Sequence, residues 1–144
     1  MEDFLEMDPY TVECGSNHCL LLTRQGDVYA WGSNKNGQCG VGSTVDMRVT
    51  DLACARPTRV REANIMVIDC GSDHSAMVDS SGRVFTFGSN KFGQLGHGTY
   101  NDEFIPIIVN RVPDRFVSVA CGIDHTLMLS GSGRVFAMGQ NANG

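Results

Sequence analysis

Three histidines occupy the same place in a pattern that this chain repeats: Cys14-Gly15-x-x-His18, Cys70-Gly71-x-x-His74 and Cys121-Gly122-x-x-His125. Imidazoles at equivalent positions invite two chemistries. They could converge on a metal ion, or be oriented as general bases by the Asn17, Asp73 and Asp124 that precede them. The spacing argues against both. Equivalent positions in successive units stand a unit's width apart, whereas metal-bound nitrogens lie about 2.0 to 2.1 Å from one ion. Asn17 cannot serve as a carboxylate, and what Asn and Asp share is the Asx turn. One histidine per unit predicts a structural ring, hydrogen-bonded to backbone between strands.

Other reactive residues read in the same way. Gly37-Gln38-Cys39-Gly40-Val41-Gly42 and Gly93-Gln94-Leu95-Gly96-His97-Gly98 lack the lysine and following helix of a phosphate loop, and are expected to be tight turns. Of the six cysteines, Cys14, Cys70 and Cys121 share one site in successive units and are expected as small buried hydrophobes. Cys19, Cys39 and Cys54 stand at unrelated places, and there is no Cys-x-x-Cys, so reduced thiols are expected rather than zinc or disulfides. No metal, cofactor or catalytic set is assigned, and the chain is read as a non-enzyme.

The elements that carry these residues recur as well. From Gly15, Gly71 and Gly122, glycines follow at +11 (Gly26, Gly82, Gly133) and +17 (Gly32, Gly88, Gly139), and asparagine at +19 (Asn34, Asn90, Asn141). Tyr10, Val12 and Cys14, then Met66, Ile68 and Cys70, then Val117, Val119 and Cys121 alternate as the buried face of a first strand. The apolar segments starting at His18, His74 and His125 predict second strands covered on both sides. After polar glycine turns, Val28 to Trp31, Val84 to Phe87 and Val135 to Met138 predict third strands. Pro57-x-x-Val60 and Pro106-x-x-Val109 predict a fourth strand at the sheet edge, where proline's missing amide costs nothing. The Cys-Gly pairs are 56 and then 51 residues apart, and the loop Val41 to Arg56 reads as seven residues longer than its counterpart.

Four short antiparallel strands per unit, without helical periodicity, define an all-β fold of β-propeller blades. An N-terminal acidic segment (1–9) precedes repeat 1 (10–65), repeat 2 (66–116) and a truncated repeat 3 (117–144). A closed ring needs at least four blades, about 200 residues at this period, so an incomplete ring is expected. It would be a piece of a longer protein, or would be completed by about three copies of itself.

The Cys-Gly-x-x-His motifs, Trp31-Gly32 and Phe87-Gly88, and Ser-Asn-Lys-x-Gly-Gln-x-Gly at 33–40 and 89–96 resemble the regulator of chromosome condensation repeat family. The resemblance implies blades of a seven-bladed propeller, with Met138 replacing the usual aromatic. It implies a protein partner, with guanine-nucleotide exchange on a Ran-like small GTPase as the alternative function. Plant ultraviolet-B photoreceptors share the fold but use clustered tryptophans, and this chain has Trp31 alone.

Charge narrows the partner. With 11 Lys and Arg against 16 Asp and Glu, the net charge of −5 disfavours direct nucleic-acid binding. Arg56, Arg59 and Arg61 read as a solvated strand edge. Neither a signal peptide nor a membrane span is indicated, which points to nucleus or cytoplasm. The long loop, with Asp46, Arg48, Asp51 and Arg56, is the expected partner contact. Gly15, His18, Gly32, Gly71, His74, Gly88, Gly122, His125 and Gly139 form the structural motif.

Overall fold

The computed structural model describes residues 7–46, 53–54 and 64–142, in which each repeat folds as a run of antiparallel hairpins. The first sheet holds β1 (Pro9–Cys14), β2 (His18–Thr23), β3 (Val28–Gly32) and β4 (Ala53–Cys54) in that order. The second holds β5 (Ile65–Cys70), β6 (His74–Asp79), β7 (Val84–Gly88) and β8 (Glu103–Ile108). The third is β9 (Phe116–Cys121), β10 (His125–Ser130) and β11 (Val135–Gly139). These are propeller blades in an arc that is not a closed ring, and the described residues contain no helix. The blades begin at Pro9, Ile65 and Phe116, one residue ahead of the boundaries at 10, 66 and 117.

Each β-hairpin between second and third strands closes on a glycine with positive φ: Gly26 (89°), Gly82 (81°) and Gly133 (86°). The group that pins this turn varies. Thr23 Oγ1 accepts from Asp27 N, Asp79 Oδ1 from Ser81 N and Arg83 N, and Ser130 Oγ from Arg134 N. Asp79, whose side chain is buried, also pairs with Arg83 at 2.6 Å.

The core lies between sheets. Leu20, Leu22, Val28, Ile68, Met77, Phe85 and Phe87 fill the first seam, and Val78, Val84, Phe116, Val119 and Met128 the second. Burying each such side chain contributes about 1.5 to 3 kcal/mol. The middle blade is covered on both faces, so all of β6 and β7 is buried. By contrast β10 is not the two-sided strand its sequence suggests: His125, Leu127 and Leu129 are exposed between buried Thr126, Met128 and Ser130. No described sheet packs against that face.

Strict alternation fails in every first strand. The register steps from Pro9 to Thr11, from Ile65 to Val67 and from Ser118 to Phe116, skipping Tyr10, Met66 and Val117. A bulge gives the skipped residue no cross-strand partner and re-aims its side chain. These three, expected inside, are 60%, 56% and 53% exposed. Val12 and Cys14 are exposed for another reason, since no described sheet covers that side of β1.

The fourth strand is also displaced. In the second blade it starts at Glu103 and carries Pro106 within an edge strand, as expected of proline. In the first blade the strand pairing with β3 is Ala53–Cys54, inside the segment read as loop. Ala53 faces Ala30 as Ile107 faces Thr86, so Ala53 rather than a residue after Pro57 is the counterpart of Ile107. Pro57 to Val60, Arg59 and Arg61 lie outside the described residues.

Candidate interaction site

The histidines hold blade to blade. His18 Nε2 lies 2.8 Å from Ser75 Oγ of the next blade, and Ser75 Oγ donates to the Gln38 carbonyl at 2.9 Å. One blade on, His74 Nε2 meets Thr126 Oγ1 and Thr126 donates to Gln94 O, both at 2.8 Å. Nε2 of each ring therefore bonds a side-chain hydroxyl across the seam, where the sequence suggested strand backbone; for His74 a backbone hydrogen bond at His125 adds to it. Burial holds both imidazoles down to about 4, against a smaller opposing pull from Asp73 on His18. Both are neutral at pH 7. Each is committed to a different hydroxyl, and among the described residues no three potential ligands surround a common point.

Gly15 and Gly71 make room for these rings. A Cβ on Gly15 would lie 2.7 Å from His18 Nδ1, and one on Gly71 would lie 2.6 Å from Gly122 O as well as striking His74. Gly122 underlies His125 in the same way. Gly32, Gly88 and Gly139 need φ of 106°, 102° and 121°, where their partners are the histidine Cα atoms and the carbonyls of Asn17, Asp73 and Asp124. Those carbonyls accept from Ser33 N, Ser89 N and Gln140 N.

The glycine-rich segments are tight turns: Gly37 N bonds Asn34 O and Gly40 N bonds Gly37 O, with the same pair at Gly93 and Gly96. Phe87 of the second blade rests against Gly40, and Met138 of the third against Gly96, so methionine takes up the aromatic's packing place. Asn34 organises the loop beyond. Its amide donates to Ser43 O and Val45 O, its Oδ1 accepts from Cys39 N, and its own N–H donates to Asp46 Oδ1 at 2.9 Å. Asn90 and Asp102 repeat this at 2.8 Å.

Asp46 is thus engaged in pinning its own blade, a role legible in the shared twelve-residue spacing Asn34 to Asp46 and Asn90 to Asp102. Arg48, Asp51 and Arg56 lie outside the described residues. Since Asp46 matches Asp102 and Ile65 matches Phe116, the first unit's five extra residues all fall between Asp46 and Ile65, 19 apart against 14.

Burial pushes the Cys39 and Cys121 thiols up to about 12 and raises Cys70 further, so all three stay protonated.

The repeat frame has counterparts elsewhere. A family model described as the regulator of chromosome condensation (RCC1) repeat matches residues 25–78 and 81–129, and a second of that description matches 11–38 and 116–144. The X-linked retinitis pigmentosa GTPase regulator homolog of Caenorhabditis elegans is 38% identical over 138 residues, 94% of this chain and 10% of that protein. The ultraviolet-B receptor UVR8 of Arabidopsis thaliana is 34% identical over 134 residues, 92% of this chain and 30% of the receptor. The crystal structure of Prp20p from Saccharomyces cerevisiae, described with its binding properties to Gsp1p and histones, superposes with a TM-score of 0.78 at 26% identity, over 92% of this chain and 33% of Prp20p. The chain spans about a tenth to a third of the length of these proteins. With these matches covering most of its length, blades and seam histidines included in their ranges, the chain belongs to the regulator of chromosome condensation repeat family.

Proposed function

We propose that this chain is a protein–protein interaction module, part of a larger propeller, whose partner contacts the segment between Asp46 and Ile65. One observation carries the reading: two successive blades share their frame up to Asp46 and Asp102, and the additional residues all lie beyond it. Length that the fold does not use, placed between strands at a blade edge, is where a propeller presents binding surface. Arg48, Asp51 and Arg56 supply charge for the contact. The test is capture of bound protein by the full-length protein and by a variant in which residues 47–63 are replaced by a copy of 103–114. Equal capture by both would overturn the assignment.

The bare face of β10 supports completion of the ring by further blades. We assign these to the parent chain; the alternative is assembly of about three copies. The first-blade joint weighs against copies, because Cys19 stands where Ser75 and Thr126 supply the hydroxyl for a preceding histidine. Light scattering of the 144-residue chain separates the two: a discrete trimer selects copies.

A second reading, exchange on a Ran-like small GTPase, is favoured by a relative named as a GTPase regulator homolog and by the Prp20p likeness. Accelerated release of fluorescent GDP from such a GTPase by the full-length protein is its measurement. Photoreception is not supported, since Trp31 is the chain's single tryptophan.

A further inference from the structure

The first blade differs from the other two at one cross-strand pair. Residue pairs Cys14 and Cys19, Cys70 and Ser75, and Cys121 and Thr126 occupy equivalent register positions, so only the first blade places two thiols opposite each other. The Cys14 and Cys19 sulfurs lie 2.7 Å apart. Because Gly15 N bonds His18 O at 2.8 Å, the neighbouring pair 14 and 19 falls at a non-hydrogen-bonded site, where Cα atoms approach to about 4.5 Å. That separation lies within the range of about 4.4 to 6.8 Å spanned by disulfides. Cys14 is exposed and Cys19 is partly so, whereas Cys39 and Cys70 are buried.

We propose that Cys14 and Cys19 are a dithiol modification site, oxidised to a cross-strand disulfide by low-molecular-weight disulfides of the glutathione class. Exposed Cys14 reacts first. Its thiolate attacks one sulfur of oxidised glutathione, forming a mixed disulfide and expelling one glutathione thiolate. Cys19 then attacks the Cys14 sulfur, a protein disulfide forms, and the second glutathione thiolate leaves. Two protein thiols are oxidised, one glutathione disulfide is reduced to two thiols, and the protons pass from the cysteines to the departing thiolates. Burial, reinforced by the hydrogen bond with Cys14, pushes Cys19 up to about 12, which keeps it out of the first step; in the second, its contact with the Cys14 sulfur supplies a high effective concentration that offsets its small thiolate fraction. The modification falls on the blade-joint position: Cys19 is the counterpart of the hydroxyls that receive His18 and His74.

The test equilibrates the full-length protein with mixtures of reduced and oxidised glutathione, blocks free thiols with iodoacetamide and maps the tryptic peptides by mass. No Lys or Arg separates Cys14 from Cys19, so both remain in the peptide ending at Arg24. The expected result is an unalkylated peptide lacking two hydrogens, formed while Cys39 and Cys70 remain free in the folded protein. In Cys19→Ser, which restores the hydroxyl of the other blades, Cys14 should instead accumulate as the glutathione adduct, and Cys14→Ser should show no internal link. A wild-type peptide that stays doubly alkylated in fully oxidised glutathione, or that stops at the Cys14 adduct, would overturn the proposal.

Discussion

His74 Nε2 lies 2.8 Å from Thr126 Oγ1, and the single proton of that hydroxyl is already committed to the carbonyl of Gln94. His74 must therefore donate, which fixes the Nε2–H tautomer and leaves Nδ1 an acceptor with no hydrogen bond to it among the described residues. Replacing Thr126 with valine keeps the shape but strands both a buried N–H and a buried carbonyl. The expected loss is about 1 to 3 kcal/mol in urea unfolding, with Thr126→Ser close to wild type. Ser75→Ala should behave likewise at His18 and Gln38. If valine and serine variants unfold together, the hydroxyl relay is not holding the seam.

The same geometry sets a pH dependence. Burial lowers both His18 and His74 from 6.5 to about 4 in the folded chain. Above pH 6.5 both states are neutral and the full stability is present. As pH falls from 6.5 towards 4, the unfolded chain takes up protons that the folded chain refuses, so stability declines, by on the order of a few kcal/mol per ring at the limit. Urea midpoints should drop between pH 7 and pH 5, and His18→Gln should flatten the slope. An unchanged slope would show that these rings do not drive the loss.

Where the sequence was informative, local chemistry and the three-dimensional result coincide. Turn glycines, the third strands and the absence of helix among the described residues follow from positive-φ positions and from β-branched and aromatic residues that any copy of the unit must supply. The bulges at Tyr10, Met66 and Val117 were not legible, because a period of two assumes uninterrupted pairing. Pro57-x-x-Val60 looked equivalent to Pro106-x-x-Val109 by spacing alone, whereas the register among the described residues makes Ala53 the counterpart of Ile107. The histidine partners were within reach: Ser75 and Thr126 directly follow His74 and His125, and buried hydroxyls need acceptors. Cys19 opposite Cys14 required the hairpin register, which the Cys-Gly-x-x-His motif does not announce.

Two glycines separate steric need from backbone need. Gly71 carries no positive φ, yet a Cβ there would strike the His74 ring and the Gly122 carbonyl, so Gly71→Ala must displace the seam. A cost of about 1 to 3 kcal/mol is expected, as for overpacking. Gly133 has φ of 86° with nothing within 4 Å of a Cβ, and Gly133→Ala should cost about 1 to 2 kcal/mol through backbone strain alone. Adding Thr126→Val tells them apart. Gly71→Ala should be non-additive with it because both act at His74, whereas Gly133→Ala should add.

The loop prediction separates frame from contact. Asp46 accepts the Asn34 N–H just as Asp102 accepts that of Asn90, so Asp46→Ala removes a loop-pinning carboxylate and should cost about 0.5 to 2 kcal/mol, by analogy with a lost cap. Asp46→Asn retains an acceptor oxygen and should recover most of that. Arg48, Asp51 and Arg56 have no charged equivalents in the second unit: counted from the Ala53 and Ile107 match, Asp51 falls opposite Ile105 and Arg56 opposite Asn110, and Arg48 stands where the first unit is two residues longer. Their alanine variants should unfold at the wild-type urea concentration and lose captured partner. The opposite pattern, stability falling at these residues with capture intact, would make the segment structural and leave the partner surface to be sought on another face of the blades.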